Sequence, residues 1–205
     1  VIGTHPQLDH VGGLAWILAH FQVEKFWTNG AERQEEFWRR IERAMVQRKL
    51  EATVATEGRL ISEGPACRMV VLNPQPRPES SIPAKSESLN NLSVVTELVC
   101  REQRVLFTGD IEREALTRLT HSGNSAHIAL LKVPHHGAKS SLERRWLETI
   151  RPAVGVVSAG RRNPYGHPAG EVLAAYQAVE TQVWRTDRDG AIWADLDLTR
   201  QELSM

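Results

Sequence analysis

The sequence predicts an α/β fold in which helices cover the outer faces of layered β-sheets. Near both ends of the chain, short β-rich runs alternate with segments of helical period, an order typical of layered α/β proteins. Between them, two β-rich runs are joined by Arg101-Glu102-Gln103, which predicts an antiparallel hairpin. The chain has 205 residues, 41% hydrophobic and 24% charged, enough for one domain with a substantial core. We therefore predict a single domain over residues 1–205.

The predicted helices rest on apolar residues that recur at a spacing of three or four. In the longest helix, Phe37, Ile41 and Ala44 follow this spacing, and the basic residues on its other faces are interpreted as solvated. Pro168 begins the last helix, where its missing N–H costs least. Helices are predicted over residues 13–21, 31–50, 111–120, 142–150 and 168–180.

The predicted strands are short apolar or β-branched runs bounded by turn residues. A second hairpin is predicted near the end of the chain, turned at residues 187–190. Residues 73–85, rich in proline and serine, are predicted to form a loop rather than a domain boundary. The six tryptophans lie in apolar-patterned elements and are predicted to pack in the core. Besides Val1-Ile2, strands are predicted over residues 23–28, 53–56, 68–72, 92–100, 104–108, 126–133, 153–158, 182–186 and 191–197.

Charge, cysteine content and hydropathy exclude several classes of protein. The 25 basic and 25 acidic residues balance, so the net charge gives no sign of a nucleic-acid partner. Cys67 and Cys100 are too few for a disulfide framework or a four-cysteine zinc site. No run approaches the roughly 18 consecutive apolar residues of a membrane span. Because the sequence begins inside a predicted strand and without Met, we expect it to be a fragment of a larger protein.

The densest group of metal-binding side chains lies in residues 4–13. His5, Asp9 and His10 fall within six positions, and imidazole nitrogens and carboxylate oxygens are ligands that Zn and Mn accept. Gly12-Gly13 then allows a tight turn before the next helix. The alternative is a loop with two surface histidines. Because further candidate ligands follow downstream, we interpret the segment as part of a metal site.

Asp110 is the first downstream candidate. It ends the strand 104–108 in the sequence Thr108-Gly109-Asp110, and a single carboxylate at a strand end can bridge two cations. The alternative is that Asp110 caps the helix 111–120. Beside the ligands of residues 4–13, the bridging role is favoured.

His135 and His136 follow the apolar strand 126–133. Adjacent side chains point in different directions, so one histidine is expected to bind metal and the other to face substrate or solvent. The sequence does not distinguish between them. The alternative is a chance histidine pair in a turn.

His167 and the start of the middle hairpin offer further polar groups. His167 lies in a loop stiffened by glycine and proline, which suits a positioned acid or a phosphate contact. The alternative is a loop histidine that packs on Tyr165. Asn90-Asn91-Leu92-Ser93 offers amide and hydroxyl groups to the same rim, although these are also ordinary turn residues.

Residues 4–13 resemble the metal-binding motif of the metallo-β-lactamase superfamily, His-x-His-x-Asp-His followed by Gly-Gly. The match is at His5, Asp9 and His10, and Gln7 stands where the second histidine is usual. A neutral amide oxygen is a poorer ligand for Zn than imidazole and suits Mn or Mg better. The resemblance implies the four-layer αββα sandwich of that superfamily, with the N-terminal strands missing before Val1.

A narrower resemblance covers residues 2–192 and is carried by motifs in a fixed order. They are residues 90–95 (NNLSVV), 106–112 (LFTGDIE), 131–137 (LKVPHHG), 140–141 (SS), 163–168 (NPYGHP) and 186–192 (TDRDGAI). This succession is similar to the C-terminal metallo-β-lactamase-like domain of the ComEC/Rec2 competence family of DNA-uptake channel proteins. The family's usual N-terminal strand, Asp-Val-Gly-Gln-Gly-Asp, is absent here.

The resemblance implies a metal-dependent phosphodiesterase that degrades one strand of incoming DNA. Its substrate would be single-stranded DNA, and its partner the membrane channel domain of the same full-length protein. The domain would lie on the extracytoplasmic face of the cytoplasmic membrane. The sequence leaves the oligomeric state open.

The implied cofactor is one or two divalent ions, Mn or Zn. The implied metal ligands are His5, Asp9, His10, Asp110, His135 and His136. Of these, Asp110 would bridge two cations, and His5 would help to hold the less complete site. The predicted catalytic side chains are Asp9, His167 and Lys132, of which His167 would protonate the leaving oxygen or bind phosphate and Lys132 would offset developing charge. Further contacts with metal or substrate are predicted for Gln7, Asn91, Ser93 and Lys139.

Two other functions fit the same residues, because a fold does not determine a substrate. One is a hydrolase of another small ester or phosphoester, such as a lactone or phosphorylcholine. The other is a catalytically degenerate domain that positions DNA without cutting it.

Overall fold

The chain folds into two β-sheets, and helices cover the outer face of each. The computed structural model describes residues 1–31, 35–76, 88–121 and 127–196. The strands are β1 (Ile2–Gly3), β2 (Phe26–Thr28), β3 (Ala52–Val54), β4 (Leu60–Glu63), β5 (Cys67–Asn73), β6 (Val95–Cys100), β7 (Gln103–Phe107), β8 (Leu130–Lys132), β9 (Val154–Val157) and β10 (Gln182–Arg185). The helices are α1 (Leu8–Val11), α2 (Leu14–His20), α3 (Glu36–Arg48), α4 (Arg113–His121), α5 (Arg144–Ile150), α6 (Gly170–Ala178) and α7 (Thr186–Asp189), and none of these described helices is long and apolar enough to cross a membrane.

The first sheet consists of β1, β2 and β3, which are parallel. Helices α2 and α3 pack on it around Phe26 of β2, which is fully buried. Trp38, Ile41 and Ala44 recur at three-residue spacing along α3, so one face of this helix is apolar and buried. The helix ends at Lys49, which takes a left-handed conformation (φ 54°) and donates its N–H to carbonyl oxygens of the last turn.

The second sheet has seven strands in the order β10-β9-β8-β7-β6-β5-β4. Neighbouring strands from β4 to β7 are antiparallel, whereas those from β7 to β10 are parallel. Leu106 of β7 and Leu131 of β8 form one core cluster with Leu116, Trp146 and Val172 of the helices α4, α5 and α6. The parallel half aligns the carboxyl ends of β7, β8 and β9 along one edge, where ligand sites of α/β proteins commonly form.

The two sheets pack face to face through a smaller apolar cluster. Trp27 of β2 joins Val71 of β5 and Val94, the residue before β6, and Ala55 after β3 completes the cluster. The layers therefore run helix, sheet, sheet, helix. The predicted four-layer αββα sandwich is confirmed.

The predicted C-terminal hairpin is wrong. Strand β10 forms, but it pairs in parallel with β9, with Gln182 opposite Val154. The expected turn is instead the helical turn α7, because Asp189 accepts the backbone N–H of Arg185 at 2.8 Å and Asp187 pairs with its guanidinium at 2.7 Å. Among the described residues 191–196 none belongs to a strand, and residue 197 lies outside the described part of the chain.

The other predicted helices and strands are present with different ends. Residues 32–34, at the start of the predicted helix 31–50, lie outside the described residues, as do residue 126 and most of the predicted loop 73–85. The predicted strand 92–100 begins at Val95, because Leu89–Leu92 form a 3-10 turn capped by Ser88. The short elements α1 and β4 have no counterpart in the prediction.

Cys67 and Cys100 form a disulfide between β5 and β6. The two residues lie directly opposite in the antiparallel register, which brings their Cα atoms to 4.1 Å. The sequence carries no signal for this bond, since a single cysteine pair 33 positions apart is equally compatible with free thiols. The bond lies at the end of β6 away from Ser93.

Tryptophan burial follows the prediction only in part. Trp27, Trp38 and Trp146 are buried in core clusters. Trp16 and Trp193 are 59% and 85% exposed, so apolar neighbours in sequence did not predict their environment.

Candidate metal centre

The candidate site lies where the carboxyl ends of parallel strands meet. In β7 and β8, Phe107 lies opposite Lys132, so the segments that leave these strands emerge side by side. Asp110 follows β7, and His136 follows β8. The segment that leaves β1 reaches the same edge because the carbonyl oxygen of Thr4 accepts the N–H of Val94 at 2.8 Å. Side chains far apart in sequence therefore meet at this edge.

Four side chains converge at this edge: Asp9, His10, Asp110 and His136. One ligand atom of each lies within 4.8 Å of the other three. Oδ2 of Asp110 is 2.9 Å from Nε2 of His10 and 3.3 Å from Nε2 of His136. Oδ2 of Asp9 lies 3.5 and 3.7 Å from the same two nitrogens. Two imidazole nitrogens and two carboxylate oxygens around one point are a donor set that suits Zn or Mn.

The histidine nitrogens of this cluster fit a cation. Nε2 of His10 and Nε2 of His136 are buried, and among the described residues neither has a hydrogen-bond partner in a suitable direction. Close approach to carboxylate oxygens without a directed hydrogen bond is the arrangement expected of ligands around one ion. Nδ1 of His136 lies 2.6 Å from the carbonyl oxygen of Ser158, the outer contact typical of a metal-binding histidine. The four residues therefore fit a divalent metal ion.

Asp110 is the buried centre of the cluster. Burial raises the pKa of its carboxyl, but the adjacent imidazoles of His10 and His136 and the charge of Lys132 outweigh this and hold the pKa far below its usual range. The alternative role as a helix cap does not fit, because α4 begins only at Arg113 and the carboxylate faces the histidines. Asp110 is thus held as a carboxylate, the form that binds a cation.

The adjacent histidines face different partners because of an unusual backbone. His135 (φ 46°) and His136 (φ 54°) are both left-handed, a conformation that costs roughly 1–2 kcal/mol for each residue with a side chain. His136 faces Asp110, whereas Nδ1 of His135 lies 3.3 Å from Oε1 of Glu112. The nearby carboxylate of Asp110 raises the pKa of His136 against the effect of burial. Of the two histidines, His136 is therefore the one in the converging group.

His5 lies beside the cluster but is bound to other partners. Its ring centroid is 4.2 Å from that of His10. Its Nδ1 is 3.1 Å from the hydroxyl oxygens of both Thr4 and Ser93. Burial, with the charge of His10, lowers the pKa of His5 to about 4. His5 is thus a neutral imidazole with its Nε2 buried and without a suitably directed hydrogen bond among the described residues.

Of three other side chains predicted to contact metal or substrate, one joins the cluster and two are paired elsewhere. Gln7 donates a hydrogen bond from Nε2 to Oδ1 of Asn90 at 2.8 Å. Lys139 is exposed and pairs with Glu171 at 3.0 Å. Lys132, in contrast, joins the cluster, with Nζ 3.1 Å from Oδ1 of Asp110. Burial lowers the pKa of Lys132, while the neighbouring carboxylate raises it.

Asn91 and Ser93 form hydrogen bonds with the backbone of the segment that carries Asp110. Oδ1 of Asn91 accepts the backbone N–H of Glu112 at 2.8 Å. Oγ of Ser93 accepts the backbone N–H of Asp110 at 3.1 Å and also contacts His5. Both side chains are buried, and these contacts orient the segment that carries Asp110.

His167 lies at the rim of the site, in the loop that follows β9. Asn163 fixes the loop by accepting the N–H of His167 at 2.9 Å and donating to its carbonyl oxygen at 2.8 Å. The ring centroid of His167 is 5.9 Å from that of His135 and 5.8 Å from that of Tyr165, on which it stacks. Burial and the charges of nearby histidines lower the pKa of His167. The predicted rim position and the alternative packing on Tyr165 are both present.

Sequence reasoning misses Glu112, which joins three segments at the rim. Its Oε1 lies 2.9 Å from Oγ of Ser140, 3.3 Å from Nδ1 of His135 and 3.4 Å from Nδ2 of Asn90. Its position two residues after Asp110, inside a motif already singled out, is the signal that could have pointed to it.

Three relatives are similar to this chain, although no protein-family model matches it. ComE operon protein 3 of Bacillus subtilis is 29% identical over 196 residues, which cover 94% of this chain and 24% of the relative. Recombination protein 2 of Haemophilus influenzae is 31% identical over 99 residues, 48% of this chain and 12% of the relative. The uncharacterized protein YcaI of Escherichia coli is 33% identical over 89 residues, 43% of this chain and 12% of the relative. The chain thus spans about a quarter of the length of the Bacillus protein.

Two solved structures share the fold. One, described as a metal-dependent hydrolase from Parabacteroides distasonis, has a TM-score of 0.50 and 14% identity, covering 90% of this chain and 74% of that one. The other, a mutant of the CmlA beta-hydroxylase, has a TM-score of 0.56 and 13% identity, covering 90% and 42%. At these identities they support the fold alone. The relatives and the ordered motifs support the resemblance: this chain is similar to the ComEC/Rec2 proteins, and the fold that it shares with the two solved structures agrees with a metallo-β-lactamase-like domain.

Proposed function

We propose that this chain is a metal-dependent phosphodiesterase that cleaves DNA, acting as one domain of a DNA-uptake channel protein. The observation that carries this proposal is the convergence of Asp9, His10, Asp110 and His136 at the strand ends. A divalent ion held by such ligands supplies Lewis acidity to a phosphoryl oxygen and makes water nucleophilic at neutral pH.

The protein side chains would orient the phosphodiester around that ion. Asp110 would hold the ion from a buried position and His136 from a half-buried one, and the exposed carboxylate of Asp9 lies on the side open to water. Lys132 would stabilise the charge on Asp110. His167, at the rim, would bind a phosphate oxygen or protonate the leaving oxygen.

The loop after β9 supports a single-stranded nucleic acid as substrate. Arg161 and Arg162 are exposed in this loop and have the charge that phosphates need. Tyr165 in the same loop is 78% exposed and stacked on His167, which suits the stacking of an unpaired base. In contrast, Arg185 and Arg188 are paired with Asp187 and Asp189, so we do not assign them to DNA.

The biological setting is carried over from the resemblance. The names of two relatives refer to a com operon and to recombination. We propose that residues 1–205 are one domain attached to the membrane channel of a longer protein, on the extracytoplasmic face of the cytoplasmic membrane. There the domain would degrade one strand of incoming DNA during competence.

Cleavage of a labelled single-stranded oligonucleotide by the purified chain tests the proposed activity. With Mn²⁺ or Zn²⁺ we expect cleavage, and with EDTA none. Asp9→Ala and Asp110→Ala should each abolish it, because each removes a ligand oxygen. Asp195→Ala, which changes an exposed carboxylate outside the cluster, is the matched control and should cleave normally.

Two results would overturn the proposal. If both ligand variants cleave DNA as the wild type does, the assigned site is wrong. If the metal-loaded wild type leaves DNA intact but hydrolyses a small ester or phosphoester, the substrate class is wrong.

A further inference from the structure

The two oxygens of Asp110 face two different sets of partners. Oδ2 faces Nε2 of His10 and Nε2 of His136, at 2.9 and 3.3 Å. Oδ1 lies 3.1 Å from Nζ of Lys132 and accepts its hydrogen bond. One oxygen is therefore directed toward the candidate ion, and the other is already paired with an ammonium group.

Lys132 is held in this position by the segment that leaves β7. It is the last residue of β8, and its Nζ also donates to the carbonyl oxygen of Gly109 at 2.7 Å. The hydroxyl of Thr108 donates to the carbonyl oxygen of Lys132 at 2.7 Å. The side chain is 22% exposed. Its charge is thus fixed beside Asp110, unlike that of a surface lysine, which moves freely in water.

The remaining candidate ligands do not complete a site for a second ion. His5 offers one buried nitrogen, and its other nitrogen contacts the hydroxyl of Ser93. Gln7 is a neutral amide whose Nε2 is bound to Asn90. In the part of the chain that the structure describes, no second group of three or more histidine, cysteine or carboxylate side chains converges.

We propose that this chain binds one divalent ion per molecule, at Asp9, His10, Asp110 and His136, and that the ammonium of Lys132 takes the role of a second cation on Asp110. Lys132 is then a positioning residue. It holds Oδ1 so that Oδ2 remains aimed at the ion, and its charge opposes the binding of a second cation on the same carboxylate. This inference rests on the metal site of the proposed function, but it concerns the number of ions and not the substrate.

Metal counting on the purified chain tests the proposed number. After equilibrium dialysis against excess Mn²⁺, we expect one bound ion per chain by mass spectrometry and the electron paramagnetic resonance spectrum of an isolated Mn²⁺. Two bound ions, or the spectrum of a coupled pair, would overturn the inference. Binding of no ion would overturn both the inference and the site.

Variants on the two sides of Asp110 separate a positioning role from a merely structural one. His5→Asn keeps a polar atom near the position of Nδ1 and removes Nε2, so the ion count and affinity should stay as in the wild type. Lys132→Gln should weaken Mn²⁺ binding by roughly 10–100-fold, the usual effect of losing an outer partner of a metal ligand. Lys139→Gln is the matched control, because Lys139 pairs with Glu171, and should bind as the wild type does.

A gain of metal provides the complementary test. With Gln7→His and Lys132→Gln combined, the chain has an added imidazole and a freed carboxylate oxygen, and we expect a second bound Mn²⁺. A double variant that stays folded by circular dichroism and still binds one ion would contradict the role given to Lys132. Metal counting also separates the two proposals: one bound ion without DNA cleavage refutes the function alone, and two bound ions with cleavage refute this inference alone.

Discussion

His5 and His10 come from one short motif and have ring centroids 4.2 Å apart, yet they have different environments. Nε2 of His10 faces the carboxylate of Asp110 at 2.9 Å. His5 contacts Ser93 through Nδ1, and no carboxylate among the described residues forms an ion pair with its ring; burial keeps this imidazole neutral. The comparison teaches that the groups facing its ring nitrogens decide whether a motif histidine can bind a metal ion. Its spacing in the sequence does not decide this. We call the two sides of the site the Asp110–His10 side and the His5 side.

The largest expected effect is the loss of the Asp110–His10 side. Asp110→Asn removes the charge on which His10, His136 and Lys132 converge. We expect Mn²⁺ affinity to fall by more than the roughly 100-fold upper value for an outer partner, because a ligand itself is lost. Isothermal titration calorimetry measures this, with Asp195→Asn as the exposed control. An affinity within error of the wild type would break the comparison, since the Asp110–His10 side would then not be the side that holds the ion.

A smaller effect, but still at least roughly 100-fold because a ligand is lost, is expected from one of the two neighbouring histidines. His136→Gln should lose Mn²⁺ affinity because His136 shares Oδ2 of Asp110 with His10. His135→Gln should bind Mn²⁺ normally, since His135 faces Glu112. The same titration compares them, and each is the other's control. Equal losses of Mn²⁺ affinity in both variants would show that the left-handed backbone does not direct only one of the two histidines toward the ion.

An effect of roughly 10-fold is expected at the rim, which neither side of the site includes. Tyr165→Ala should weaken binding of a single-stranded oligonucleotide by that amount, because stacking on an aromatic ring is lost. Tyr165→Phe should retain binding, and Trp193→Ala, which truncates another exposed aromatic residue, is the matched control. Fluorescence anisotropy measures the affinities. If Trp193→Ala weakens binding as much as Tyr165→Ala, the rim has no special part in DNA contact.

The smallest effect is expected on stability when the ion is removed. Apolar clusters on both sides of each sheet hold the fold without it. A bound ion at 100 times its Kd adds about 2.7 kcal/mol, so EDTA should lower the melting temperature by roughly 5–10 °C. Differential scanning calorimetry in Mn²⁺ and in EDTA measures the shift. Complete unfolding in EDTA would mean that the Asp110–His10 side holds the fold together as well as the ion.

Much of the fold was predictable because local patterns and tertiary packing agree. Alternating β-rich and helical segments predicted the layers. The middle hairpin also formed, although Gln103, predicted to lie in its turn, is the first residue of β7 and pairs with Cys100. The prediction of a C-terminal hairpin was wrong because Asp187 and Asp189 bind Arg185, and the expected turn is a helical turn instead. Side-chain bonds of this kind are not visible in hydrophobic periodicity.

The four converging residues were all among the six predicted ligands, but the sequence did not give their geometry. Asp110, at a strand end after Gly109, was recognisable as a ligand candidate only beside the candidate ligands of residues 4–13. The choice between His135 and His136 was not, because it depends on two consecutive left-handed residues that only tertiary contacts can stabilise. Glu112 escaped notice for the same reason, since its role depends on three partners from distant segments.

Anomalous X-ray scattering at the manganese edge, from crystals grown with Mn²⁺, tests the central claim most directly. The account predicts one anomalous peak per chain, bonded to Nε2 of His10, Nε2 of His136 and the carboxylates of Asp9 and Asp110. It also predicts that Nζ of Lys132 stays on Oδ1 of Asp110. A second peak bonded to Nε2 of His5, or a peak that avoids Asp110, would contradict it.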